Sequence, residues 1–151
     1  MCLACLDKIK WGKAVLGGIA FAVISQVVYT VESMLDLGYY TDPANFAIWS
    51  KIMMPNQGPP GMEYFALTIA LAFVTGLIFT AAFQTVRKSL ENDAVKAGIT
   101  FGVLLFFVAT LPGMLSMYAN LAVPTGLVAS WIVAGLVVDL LGGVAIAKIS
   151  G

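Results

Sequence analysis

The side chains in this chain that could do chemistry are few, and most are acids. Asp139 stands inside a long apolar stretch, about eight residues from its end and so roughly 12 Å deep at 1.5 Å per residue. An aspartate at the centre of a span costs about 2.5–3.5 kcal/mol on insertion scales. No lysine or arginine lies at a comparable depth to pair with it. It must therefore be neutral, hydrated, bound to a cation, or hydrogen-bonded to Thr80, Gln26 or Gln84. A proton relay uses such a residue, and so does a cation site or a clamp between helices. Gln26, near the middle of another stretch, reads by default as an interhelical hydrogen bond, with a substrate ligand as the alternative.

Glu32, Asp36, Asp42 and Glu63 form a second acidic group together with Lys51. Glu32 and Asp36 are one helical turn apart, so they share a face and repel unless water or a cation sits between them. A solvated rim is the plain reading, and a cation-attracting vestibule the sharper one. Tyr29, Tyr39 and Tyr40 nearby read first as aromatics at a membrane interface.

The absences exclude much. The chain has no histidine, which removes histidine-ligated metals and the Ser-His-Asp hydrolases. Eight bases balance eight acids with no basic run, so nucleic acid is not an expected partner. Cys2 and Cys5 form a C-x-x-C pair in a short leader, with no second pair to complete a metal site. They read as incidental thiols, with palmitoylation or redox chemistry as alternatives. Phe79, Phe83, Phe101, Phe106, Phe107, Met114 and Met117 read as packing or lipid contacts. No cofactor and no metal are expected, and no nucleophile and base pair marks an enzyme.

The elements that position these groups follow from composition. Apolar residues make up 60% of the chain and charged residues only 11%, against roughly 25% charged in a soluble domain. This is the composition of an all-α integral membrane protein. About 20 mostly apolar residues make a span, and four stretches qualify: about 13–34, 64–86, 97–118 and 126–147. A single membrane domain over 1–151 is expected. Lys8, Lys10, Lys13, Arg87, Lys88, Lys96 and Lys148 gather on one side of these spans, and only Lys51 lies on the other. The excess of bases places both termini in the cytoplasm. The first apolar run reads as an uncleaved signal anchor, since it continues to full spanning length.

The outer segment 35–63 holds one more predicted element. Asp42 can cap a helix and Pro43 suits its first position. Phe46, Trp49, Ile52 and Met53 would then share a face, forming a short amphipathic helix along the membrane surface that seals the bundle or docks a partner.

Lipid is as apolar as leucine, so close backbone approach and hydrogen bonds must hold the spans together. Stripes of small residues at four-residue spacing supply the first: Ala14/Gly18/Ala22, Ala72/Gly76/Thr80, Gly98/Gly102, and Gly135/Asp139/Gly143/Ala147. They predict a four-helix bundle. Gly17 and Gly142 leave room for a second small-residue face and hence for a homo-oligomer. Leu111-Pro112-Gly113 predicts a kink in the third span. Its functional reading is a broken helix beside Thr110, Ser116 and Asn120. A weak resemblance between the two halves places Thr80 opposite Asp139 and would make them parallel repeats.

None of the local motifs that mark small four-span channels, exporters or redox enzymes is matched. The leading expectation is a small oligomeric transporter or channel for protons, cations or a small solute in a prokaryotic inner membrane. Its polar seam would run from Glu32 and Asp36 past Gln26 to Thr80 and Asp139. The alternative is a non-catalytic subunit or assembly factor of a larger membrane complex. Transport requires Asp139 to face a water-accessible cavity, whereas a scaffold seals it between helices.

Overall fold

The computed structural model describes residues 9–55 and 58–151, so Cys2 and Cys5 lie outside the described residues. The described residues are helical, with no strand among them. Helix α1 spans Trp11–Leu35 and the single turn α2 spans Leu37–Thr41. Helix α3 spans Met62–Val86, α4 Ala94–Leu105, α5 Leu111–Asn120 and α6 Thr125–Ser150. A π-helical turn, Phe106–Thr110, joins α4 to α5 as one continuous span. Four helices are thus long and apolar enough to cross a membrane, and each contains one of the stretches expected from hydropathy.

Hydrogen bonds tie the ends together. The backbone N–H of Lys10 donates to Gln84 Oε1 at 2.7 Å, and Lys13 Nζ donates to the Gly151 carbonyl at 3.2 Å. The start of α1 therefore meets the ends of α3 and α6. Ala97 at the start of α4 joins Phe83, Phe101, Ile146 and Ala147 in one buried cluster at that same end. We call it the termini end. The segment between α1 and α3 closes the opposite, cap end.

The packing is centred on α6. Buried residues make up 44% of its most apolar window, against 11% for α3. Helix α3 packs on α1, α4 packs on α6, and α1 and α6 join the two pairs. Backbone meets backbone where the stripes predicted it. A Cβ on Gly98 would lie 2.5 Å from Val144 Cα, and one on Gly102 would strike the Asp139 carbonyl. The Phe21 ring of α1 lies against Gly76 of α3 and Gly142 of α6, so one side chain fills the junction of three helices.

Two expectations need correction. Gly17 and Gly142 do not form a spare face, because Thr80 fills the space at Gly17 and Phe21 the space at Gly142. The outer segment is not one amphipathic α-helix. Asp42 accepts from the Ala44 N–H and Pro43 follows it, as expected, but the helix is a 3-10 turn, Pro43–Ile48, ending in extended backbone at Trp49. Trp49 and Met53 pack inward on Tyr40, Val123, Leu127 and Val128. Phe46 is half-buried, and of the four docking candidates only Ile52 is exposed. Tertiary packing overrides the helical periodicity here, because the Trp49 ring is held by Tyr40 and Trp131 at 5.1 and 6.3 Å between centroids.

Gly102→Ala should lower the midpoint of thermal unfolding in detergent, by an overpacking cost of about 1–3 kcal/mol. Gly12→Ala should leave it unchanged or slightly raised, since nothing lies within 4 Å of a Cβ there.

Candidate functional site

Buried polar side chains among the described residues include Asp139 on α6, Thr80 of α3 against α1, and Glu32 at the contact between α1 and the cap.

Asp139 is 2% exposed. Its Oδ2 accepts from the Thr110 hydroxyl at 2.6 Å. The geometry depends on the proline anticipated in the third span. Pro112 has no N–H to give to the carbonyl one turn back, and its ring crowds that turn. The chain answers by widening, so the Leu111 N–H bonds the Phe106 carbonyl, five residues back. Thr110 closes the wide turn and lies against α6, where a Cβ on Gly135 would be 2.6 Å from its methyl. Gly135 is one turn from Asp139, so the threonine covers the face that carries the acid. Ser116 and Asn120 take no part, being exposed and bonded locally through Asn120 Nδ2 to the Ser116 carbonyl at 2.7 Å.

The three partners expected for Asp139 are elsewhere. Thr80 is fully buried but donates to the Gly76 carbonyl of its own helix at 2.7 Å. Gln26 Nε2 donates to Thr30 at 3.3 Å and lines a groove of about 520 Å³ between α1 and α3. This groove is otherwise apolar, with Ala22, Ala66, Ala70 and Phe73 among its walls. Gln84 holds Lys10 at the termini end. Neither Gln26 nor Thr80 therefore bonds Asp139. Tyr29 is three residues before Glu32, its hydroxyl is 3.7 Å from a Cβ position on Gly135, and it lies within electrostatic reach of both Asp139 and Glu32. In the sequence Tyr29 reads as an interface aromatic. Its spacing to Glu32 was the available signal.

At the cap end the Asp36 N–H donates to the Glu32 carbonyl one turn back at 2.9 Å, but Glu32 is not part of a solvated rim. It is 6% exposed, and its carboxylate lies 3.3 and 3.5 Å from the Tyr40 hydroxyl. The Trp131 indole N–H donates to that same hydroxyl at 2.8 Å. Burial raises the Tyr40 phenol above its ordinary pKa, opposed by the Trp131 bond and reinforced by Glu32, so it remains a donor. Asp36 Oδ2 and Trp49 Nε1 are buried without partners. Beside them Asp36 and Asp42 border a shallow pocket of about 310 Å³ with Leu35, Gly38 and Tyr39. In the sequence Tyr40 reads only as an interface aromatic, and nothing there singles out Trp131. The break at Asp36 puts Tyr40 off the helical register of α1, and Trp131 comes from another span.

No group of three or more metal-ligating side chains occurs among the described residues. Asp139 lines neither the groove nor the pocket. Chemically, then, the interior offers one closed acid–hydroxyl pair, and the cap end offers two adjacent acids beneath a phenol and an indole.

Comparison with known proteins adds no identity: no known protein family, curated protein or solved structure matches the chain.

Thr110→Val should destabilise the protein by about 1–3 kcal/mol, since it strands a buried acceptor. Thr110→Ser keeps the hydroxyl and should unfold close to the parent midpoint in the same detergent.

Proposed function

We propose that this protein is a non-catalytic component of a membrane assembly, a four-helix bundle that presents its cap to a partner chain. The closure of Asp139 carries this reading. The acid is sealed between α6 and the π-helical turn, is bonded to Thr110, and borders neither cavity. Its role is to clamp the third and fourth spans. A buried polar contact of this kind is worth about 0.6–2 kcal/mol between membrane helices. The groove at Gln26 opens sideways towards lipid but holds no nucleophile or base, which argues against an enzyme acting there.

The distribution of bases supports an orientation with the termini end in the cytoplasm and the cap outside. The compact connections favour a prokaryotic cell membrane. Membrane lipid covers the exposed apolar faces of α3 and α5. The partner meets the cap through Ile52 and the exposed charges of Asp42 and Lys51.

A second reading, proton or cation transport, is favoured by one observation. Glu32 is buried beneath the cap with no base paired to it among the described residues, and Tyr29 lies within electrostatic reach of both it and Asp139. Transport would then follow Asp36, Glu32, Tyr29, Thr110 and Asp139.

Asp139→Asn separates the two. As a scaffold, the protein should copurify with another chain from mild detergent and show no ion flux in vesicles. The variant should shift the unfolding midpoint and lower partner recovery. Flux in the parent, lost in the variant at an unchanged midpoint, would overturn the scaffold reading, and so would recovery of the parent as a homogeneous homo-oligomer without a partner.

A further inference from the structure

The cap joins two acids, a phenol and an indole at one buried contact, which neither reading uses in full. Tyr40 is its hub. The Trp131 indole can only donate, so the Tyr40 oxygen accepts from it, and the single phenol proton is left for Glu32. That one proton cannot satisfy the rest of the Glu32 carboxylate. Asp36 stands one turn further along the chain, its backbone N–H donating to the Glu32 carbonyl at 2.9 Å, and its Oδ2 is buried without a partner. Two ionised carboxylates cannot bond one another, since both only accept. One proton between them turns the repulsion into a hydrogen bond.

Among the described residues the surroundings offer no other neutralising group. Tyr29 faces Glu32 from α1, Tyr40 from α2, and Tyr64 from α3. Helix α6 contributes the Trp131 indole, and its Asp139 lies beyond Tyr29. All the ionisable groups here are acids or phenols. Lys51, the base nearest in sequence on this side, is exposed. The one ion pair among the described residues, Lys96 with Glu91 at 3.7 Å, joins the third span to the turn before it at the termini end.

We propose that Glu32 and Asp36 share one proton, and that this proton latches the cap onto α6 through Tyr40 and Trp131. Release of the proton to outside water leaves two facing negative charges beneath Tyr40. Glu32 then turns towards water and the Tyr40 contact is lost. A proton can shift this equilibrium only because the two forms bind it differently. The latched form holds more protons, so acid closes the cap and alkali opens it. A single-proton step changes the ratio of the two forms by about tenfold per pH unit.

Tryptophan emission tests this in the full chain in detergent. Trp49 and Trp131 lie in the cap, and Trp11 lies at the opposite end. In a Trp11→Phe background, rising pH should move emission to the red in one step, complete before tyrosine ionises. The infrared band of a protonated carboxyl should disappear in that same step. Glu32→Gln and Asp36→Asn should each abolish the step, since an amide beside one carboxylate keeps the hydrogen bond without a proton to lose. Tyr40→Phe should give red-shifted emission at every pH. Emission independent of pH, an unchanged step in both amide variants, or a step without loss of the carboxyl band would each overturn the proposal. Should Glu32→Gln fail to fold, Asp36→Asn decides, its side chain being at the end of α1; should both fail, the parent's emission and infrared titrations decide.

Discussion

The two most extensive helix contacts, α4 on α6 and α3 on α1, depend on peptide backbone reaching peptide backbone. In hydrocarbon, burying a leucine against another leucine gains little over burying it against lipid. What remains is van der Waals contact at short range, and that requires side chains small enough to permit it. Gly98 and Gly102 let α4 close on α6 at Val144 and Asp139, while Gly76 lets α3 close on Phe21. The close approach also excludes water from the interior, so the few polar groups there must satisfy each other. Asp139 with Thr110, and Glu32 with Tyr40, are the consequences of a backbone packed too closely to hydrate them.

Much of this was legible in the residues. Hydropathy places all four spans, because a stretch of about 20 apolar residues has few alternatives. The four-residue stripes identify the contact faces, since glycine and alanine at that spacing have a direct geometric meaning. Asp139 stands out because its cost inside a span is large and sequence-visible. Its partner was not legible. Spacing arithmetic assumes 3.6 residues per turn, and the third span inserts a wider turn before Pro112. The proline announces a distortion without saying whether the helix bends or widens. Only widening carries Thr110 to the acid.

The cap was less legible still. Asp42 and Pro43 announce a helix start, and the capping bond forms as expected. Beyond Ile48 the periodic pattern continues while the backbone does not follow it. The reason is the aromatic cluster. Tyr40, Trp49 and Trp131 come from three separate segments, and no local rule brings them together. The resemblance between the two halves finds only partial support. Thr80 and Asp139 do occupy matching places, each buried where the second helix of its half packs on the first. The halves themselves join through α1 and α6, whereas the symmetric counterpart, α3 with α4, is made at Phe83 and Phe101.

The pairing of helices also has a meaning for biosynthesis. As the chain emerges, α1 meets α3 early, and that pair shares extensive contact. The third span comes next and has little to hold, because its main neighbour, α6, follows it in the chain. Until then Gly98 and Gly102 face lipid and Thr110 has no carboxyl to meet. Helix α6 is therefore the keystone of assembly as well as the centre of packing. A chain cut before Thr125 would hold one finished helix pair and one span without its main neighbour.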